Sequence, residues 1–285
     1  MLQAKKRKAQ MNLTLVDVFA ESRYAGNQLA VVQGAAALDT ADMQAIAREM
    51  NFSETTFVTA EDALGAQVRI FTPAEELPFA GHPTLGTAWV LRQGRPQVTL
   101  HLAVGPVTVR FDDARDMGWF DAPAATLGEA VAPAIAADLL GLAPGELHPH
   151  LPPQQVSVGP HFLFVPLASR DALRRARLDL ARHQARATAN GPSELVFLFC
   201  EGGYSADADY AARLFFLAPD LREDPATGSA NAALAAYLQH HLGRPIDAIV
   251  EQGFEIQRPS RLYLRADPGV SVGGRVQLVA RGVLA

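Results

Sequence analysis

The sequence predicts an α/β (α+β) fold built from two similar halves. From residue 11 onward, most segments alternate apolar and polar residues as half-buried strands do, and few have helical spacing. The chain also repeats one arrangement, because residues 69–91 and 213–238 each run from a strand, through a loop with proline and acidic residues, into an apolar helix. With 285 residues and 49% hydrophobic content, it can bury a large core in one big domain or two medium ones.

The elements follow in order along the chain. Residues 12–20 have strand spacing, and residues 25–34 predict a turn and then a short strand. Asp39 is a candidate N-cap for a helix over residues 40–50, where apolar residues recur at helical spacing. Later segments with strand character are 54–59, 66–72, 97–111, 194–202, 208–218, 260–266 and 273–282.

These patterns divide the chain into three predicted parts. Residues 1–10 contain the basic run KKRK without an apolar stretch, so we expect a mobile tail. Residues 11–128 form the N-terminal half, joined by the last strand of the chain, and residues 129–285 form the C-terminal half. The Pro- and Ala-rich residues 122–152 are expected to cross between the halves.

Composition excludes several classes of function. A net charge of −5 provides no broad basic surface for nucleic acid, and no apolar run suits a signal sequence or a membrane span. Cys200 is the only cysteine, so no internal disulfide forms and no Cys/His spacing suits structural zinc. No phosphate-binding loop occurs, and no lysine lies beyond residue 10 to form a Schiff base. We therefore predict a cytoplasmic protein without a metal or cofactor, whose partner is a small neutral or anionic molecule.

Two helix starts are candidates for binding that molecule. Gly81 begins one predicted helix, and Gly228 and Ser229 begin the other, so exposed backbone N–H groups there can receive an anion. The alternative is an ordinary strand-to-helix connection, because glycine and serine are common at helix starts. Since the arrangement occurs twice, we expect the two starts to form two sides of one cleft.

Several long motifs, in collinear order from about residue 11 to the C-terminus, resemble the PhzF-like, phenazine-biosynthesis protein family. They are YAGNQLAVV, AREMNFSETTFV, IFTPAEELPFAGHPTLGTAWVL, REDPATGSANAALAAYL, EQGFEIQRPSRLYL and VSVGGRVQLVARG. The resemblance implies a diaminopimelate-epimerase-like fold, in which each half wraps a curved sheet around a central helix and the active site lies between the halves. It also implies a homodimer.

The resemblance places Glu54 at the family's catalytic carboxylate and His82 and Asp224 in the same site. Without it, Glu54 would be interpreted as an exposed residue at a strand edge, His82 as a hydrogen-bonding residue at a helix start, and Asp224 as a turn residue capping the second helix. We expect Phe52 and Phe57 to desolvate Glu54 and raise its pKa, and Ser53 and Thr55 to adjust it by hydrogen bonds.

The predicted activity is a cofactor-independent isomerisation that moves a proton between carbons of a small carboxylated metabolite. Glu54 is the acid and base, His82 and Asp224 assist, and Ser53, Gly81, Gly228 and Ser229 bind substrate. The best-known member of the family isomerises a dihydro-hydroxyanthranilate, which makes a substrate of that type one expectation. Two alternatives stay open: an amino-acid-type epimerase or racemase, disfavoured because neither helix start carries a cysteine, and a catalytically idle ligand-binding protein.

Overall fold

A computed structural model describes residues 11–63, 65–190, 195–217 and 220–284, without the side chains of residues 186–190. The predicted tail, residues 1–10, lies outside these ranges. No helix among the described residues has the length and apolar content that crossing a membrane requires.

The first half of the chain contains two α-helices and nine strands in its described residues. The helices are α1 (Thr40–Met50) and α2 (Gly81–Leu91). The strands are β1 (Met11–Val18), β2 (Asn27–Gln33), β3 (Glu54–Glu61), β4 (Gly65–Phe71), β5 (Glu76–Leu77), β6 (Gln97–Leu102), β7 (Gly105–Asp112), β8 (Met117–Asp121) and β9 (Thr126–Ala130).

The second half contains four α-helices and nine strands in its described residues. The helices are α3 (Pro133–Leu139), α4 (Arg170–Arg175), α5 (Leu180–Asn190) and α6 (Gly228–Leu242). The strands are β10 (Gln154–Ser157), β11 (His161–Leu167), β12 (Leu195–Glu201), β13 (Tyr210–Leu217), β14 (Leu221–Asp224), β15 (Ile246–Gln252), β16 (Ser260–Ala266), β17 (Val270–Gly274) and β18 (Val276–Leu284).

All these strands belong to one sheet whose pairing repeats. In the first half β1 pairs with β2, and β3 lies parallel to β2. β3 then pairs with β4, β6 lies parallel to β4, β7 pairs with β6, and β8 pairs with β7. In the second half β10 to β13 and β15 to β17 pair in the same order, with the same two parallel pairs. The predicted α/β (α+β) class with two similar halves is confirmed.

Three pairs of neighbouring strands join the two halves. β18 pairs with β1, β9 pairs with β10, and β8 pairs with β17. The 122–152 segment, expected only as a crossover, therefore contributes a strand to the sheet of the second half and also contains α3.

Helices α2 and α6 lie at the centres of the two halves. Most residues of both are buried, because their sequences contain mainly small and apolar side chains and present no polar face. In α2, a Cβ on Gly86 would lie 2.6 Å from a methyl of Leu29 and 2.7 Å from one of Val18, so glycine permits this close packing. Helix α1 covers the outside of β3 and β4, and the oxygen Oδ1 of its N-cap Asp39 accepts a hydrogen bond from the Asp42 backbone at 2.8 Å.

Candidate active site

The predicted site residues meet where the two central helices begin. Glu54 is the first residue of β3, His82 the second of α2, and Asp224 the last of β14, just before α6. The two helix starts are in direct contact, since a Cβ on Gly81 would lie 3.0 Å from the Gly228 Cα. The two helix starts therefore lie side by side, with no space for a ligand between the two glycines.

Glu54 and His82 form a close pair whose facing atoms are buried. Glu54 Oε2 lies 3.4 Å from His82 Nε2, and their side chains are 15% and 4% exposed. Neither atom has a hydrogen-bond partner in the described part of the chain. Burial raises the pKa of Glu54 well above its usual range, and the charge of Asp224 raises it further. The pair thus combines a carboxyl whose pKa is raised with a ring nitrogen that no described residue binds.

His82 is neutral and lies between Asn27 and Glu54. Burial lowers its pKa to about 3, against the opposite effect of a hydrogen bond to the Gln28 backbone. Its Nδ1 lies 3.3 Å from the side-chain Nδ2 of Asn27, and its Nε2 faces Glu54.

Asp224 is held by three donors from separate elements. Its Oδ1 accepts from Asn27 Nδ2 at 2.9 Å and from Ser53 Oγ at 3.1 Å, and its Oδ2 accepts from Thr227 Oγ1 at 2.5 Å. Burial raises the pKa of Asp224 to about 6, and these three hydrogen bonds oppose that rise, while the nearby Glu223 charge adds to it. Asn27 and Ser53 belong to the first half, so their hydrogen bonds to Asp224 connect the two halves.

Some expected contacts are wrong in detail. Ser53 binds Asp224 and not Glu54. Thr55 and Phe57 lie on the face of β3 opposite to Glu54, because side chains alternate along a strand, and Phe57 packs edge-on against Phe71 at 5.5 Å. Phe57 is therefore not the residue that desolvates Glu54.

The expected cap of the second helix is also different. The N-cap of α6 is Thr227, and Asp224 accepts a hydrogen bond from the Thr227 hydroxyl instead of from backbone N–H groups of the helix. This leaves the carboxyl of Asp224 facing the site.

Both helix starts are suited to an anion. In the described chain, neither α2 nor α6 has a side-chain cap or an acidic residue in its first turn. Their N-terminal N–H groups and the positive ends of their dipoles are therefore uncompensated by side chains. Gly81, Gly228 and Ser229 occupy these positions, and their binding of a substrate stays a prediction.

The sequence did not single out three polar residues of the site: Asn27, Thr227 and Gln252. Each is buried or half-buried and hydrogen-bonded around Asp224. The available signal was their position inside the motifs YAGNQLAVV, DPATGS and EQGFEIQRPS, where each lies next to a glycine.

Other candidate reactive groups lie elsewhere. Cys200 is buried on β12 among residues that pack under α3 and α4, and burial raises its pKa to about 11. Within the described ranges, no group of three His, Cys, Asp or Glu side chains is arranged to hold a metal ion.

Comparison with known proteins covers nearly the whole chain. The family model of phenazine biosynthesis-like proteins (PhzC-PhzF) matches residues 16–284. The trans-2,3-dihydro-3-hydroxyanthranilate isomerase of Pseudomonas fluorescens is 36% identical over 282 residues, covering 95% of this chain and 96% of that protein. The PhzF-family phenazine biosynthesis protein of Bacillus anthracis has a TM-score of 0.86 at 23% identity, covering 97% of this chain and 99% of that one. A hydroxyproline epimerase of Agrobacterium vitis has a TM-score of 0.59 at 14% identity, covering 98% and 93%, which extends the likeness of fold to epimerases.

Proposed function

The chain belongs to the family of phenazine biosynthesis-like (PhzC-PhzF) proteins and is an isomerase, and from this premise we propose that it moves a proton between two carbons of a small carboxylated metabolite. Glu54 carries the proton, and His82 and Asp224 assist.

The Glu54–His82 pair is the observation that carries this proposal. A carboxyl that takes a proton from carbon and returns it needs a pKa near the working pH, and burial moves the pKa of Glu54 in that direction. Its Oε2 is not used by any hydrogen bond of the described residues, so it is available to a substrate. His82 Nε2, 3.4 Å away, can form a hydrogen bond with the carboxyl or with a substrate.

The reaction we propose has two steps. In the first, the Glu54 carboxylate takes a proton from a substrate carbon, and the electron pair of the broken C–H bond enters the conjugated system of the substrate. In the second, the Glu54 carboxylic acid returns the proton to another carbon of that system. Product and substrate are isomers, and Glu54 ends as the carboxylate.

The helix starts suit a substrate carboxylate. N–H groups at Gly228 and Ser229, with the Ser229 hydroxyl, would bind its oxygens, and the Gly81 N–H would contact the same region. This contact holds the substrate against the Glu54 side of the site and stabilises negative charge that develops during proton removal.

The family relationship suggests a substrate to test first. The Pseudomonas fluorescens relative is named for trans-2,3-dihydro-3-hydroxyanthranilate, a small molecule with a carboxylate and a conjugated system. Independence of metals and cofactors, a homodimer and a cytoplasmic location remain predictions of this proposal. Epimerisation by paired thiols is disfavoured, because the single cysteine lies on β12 and not at either helix start.

The test is turnover of trans-2,3-dihydro-3-hydroxyanthranilate in D₂O, followed by NMR. We expect conversion to an isomer with solvent deuterium at the carbon that receives the proton. If this compound is inert, other small carboxylates that raise the melting temperature are assayed for exchange in the same way. Binding without exchange for every such compound would contradict the proposal.

A further inference from the structure

A fully buried amide lies directly behind Asp224. Gln252, the last residue of β15, places Nε2 at 2.9 Å from the Asp224 carbonyl oxygen and 3.1 Å from Thr227 Oγ1. Its Oε1 accepts from the Thr227 backbone N–H at 3.2 Å and from Asn231 Nδ2 at 2.9 Å. A carbonyl only accepts and a backbone N–H only donates, so these partners fix which end of the amide is nitrogen.

This orientation determines the direction of the Thr227 hydroxyl. The hydroxyl has a single hydrogen, and its oxygen already accepts from Gln252 Nε2. The hydrogen is therefore directed to Asp224 Oδ2, 2.5 Å away. Asn27 is fixed in the same manner, because its Nδ2 also donates to the Ala226 carbonyl at 2.9 Å.

We propose that Gln252 is a positioning residue: by directing the Thr227 hydroxyl at Asp224, it keeps Asp224 ionised, so that Glu54 and not Asp224 takes and returns the proton. The consequence for the reaction, but not for the ionisation of Asp224, rests on the proposed function. Three donors meet the Asp224 carboxyl, and donors stabilise the ionised form of an acid.

The charged neighbours of Asp224 are consistent with an ionised Asp224 and a more basic Glu54. Glu54 faces it from β3, and the Asp224 charge raises the pKa of Glu54. Glu223, adjacent on β14, is paired with Arg213 of β13 at 2.7 Å. His82 of α2 is neutral, and its Nδ1 lies 3.3 Å from Asn27 Nδ2, which donates to Asp224. A charged Asp224 makes Glu54 the stronger base, which removal of a proton from carbon requires.

The test is an NMR titration of the side-chain carboxyl carbons in ligand-free protein with ¹³C-labelled Asp and Glu. Glu54→Gln and Asp224→Asn assign the two signals. In the unaltered protein we expect Asp224 to lose its proton at a lower pH than Glu54. In Gln252→Met, which keeps side-chain length without a donor, the Asp224 midpoint should rise by about one pH unit, the scale of one hydrogen bond to a charged group.

Two variants control for packing and one guards against misfolding. Gln239 lies farther along α6, and Gln239→Met removes its side-chain hydrogen bond to the Ala266 carbonyl. This variant should leave the Asp224 midpoint unchanged. Thr227→Ser should also leave the Asp224 midpoint near its original value. Thr227→Val removes the donor itself and should raise the midpoint as Gln252→Met does, which tests the hydrogen bond from Thr227 to Asp224 if Gln252→Met does not fold.

An unchanged Asp224 midpoint in folded Gln252→Met or Thr227→Val would overturn the inference, as would Glu54 titrating below Asp224 in the unaltered protein. The titration uses no substrate. A protein with the expected midpoints and no isomerase activity would refute the proposed function alone, whereas an active protein with unaltered midpoints in both variants would refute only the role of Gln252.

Discussion

At the scale of single residues, Glu54 combines function with a cost to stability. Its pKa is raised in the folded protein, so the folded state resists the ionisation that the unfolded chain undergoes at its ordinary pKa. Below pH 4.5 the carboxyl is protonated in both states and the cost is absent. As the pH rises through the folded pKa, the folded protein must hold a buried charge, and stability is lost.

Glu54→Gln should therefore stabilise the protein at alkaline pH. Glutamine has the same shape without the charge, so the gain in free energy of unfolding should grow from near zero at pH 4.5 to at least about 1 kcal/mol at pH 8. Urea denaturation at the two pH values measures it. Glu61→Gln, at the exposed end of the same strand, is the matched control and should show no such trend. A gain that is equal at both pH values would contradict the buried charge.

At the scale of elements, the site depends on how closely α2 and α6 begin. A Cβ on Gly81 would lie 3.0 Å from the Gly228 Cα and 3.1 Å from the Ser229 backbone nitrogen, and backbone atoms cannot rotate away as a side chain can. Gly81→Ala must push the two helix starts apart.

We expect Gly81→Ala to lower the free energy of unfolding by about 2 kcal/mol, the scale of overpacking, and to reduce turnover because Glu54, His82 and Asp224 move relative to one another. Denaturation and steady-state assays measure the two effects. Gly145→Ala is the matched control, since its Cβ would meet nothing within 4 Å. Normal stability and turnover in Gly81→Ala would show that the helix starts are not held in contact.

The sequence predicted the elements whose signals are local. The cap at Asp39 and the helical spacing after it predicted α1, and alternation predicted most strands. The short helices α3 and α4 were not predicted, because six or seven residues give too little periodicity, although Ser169 caps α4 by accepting from the Ala172 backbone at 3.2 Å. The link from Asn27 to Asp224 spans 197 residues of chain, so only the folded structure shows it.

At the scale of the whole molecule, one arginine joins the two halves near the site. Arg258, which precedes β16 in the second half, donates to Asp17 Oδ1 at 2.7 Å and to the carbonyls of Ala25 and Gly26 in the first. Asn27 follows directly in the chain. The side chains of Arg258 and Asp17 are 19% and 3% exposed, so the pair is largely buried.

Removing this arginine should destabilise the protein strongly. Arg258→Met leaves the buried Asp17 charge without its cation, and we expect a loss of about 3 kcal/mol in free energy of unfolding. Arg110→Met, which breaks an exposed pair with Asp121, should cost less than about 1 kcal/mol. The double variant Arg258→Met with Asp17→Asn should recover part of the loss. Equal effects of the two single arginine variants in denaturation experiments would contradict the buried link.

The central claim, that Glu54 carries the proton, is tested most directly by solvent-deuterium incorporation during turnover of trans-2,3-dihydro-3-hydroxyanthranilate by Glu54→Gln. A positioned acid–base group contributes at least about 10²-fold. We therefore predict that turnover and incorporation fall together by that factor, while substrate affinity, the fold and the activity of Glu61→Gln are retained. Near-normal turnover with deuterium incorporation in folded Glu54→Gln would contradict the account.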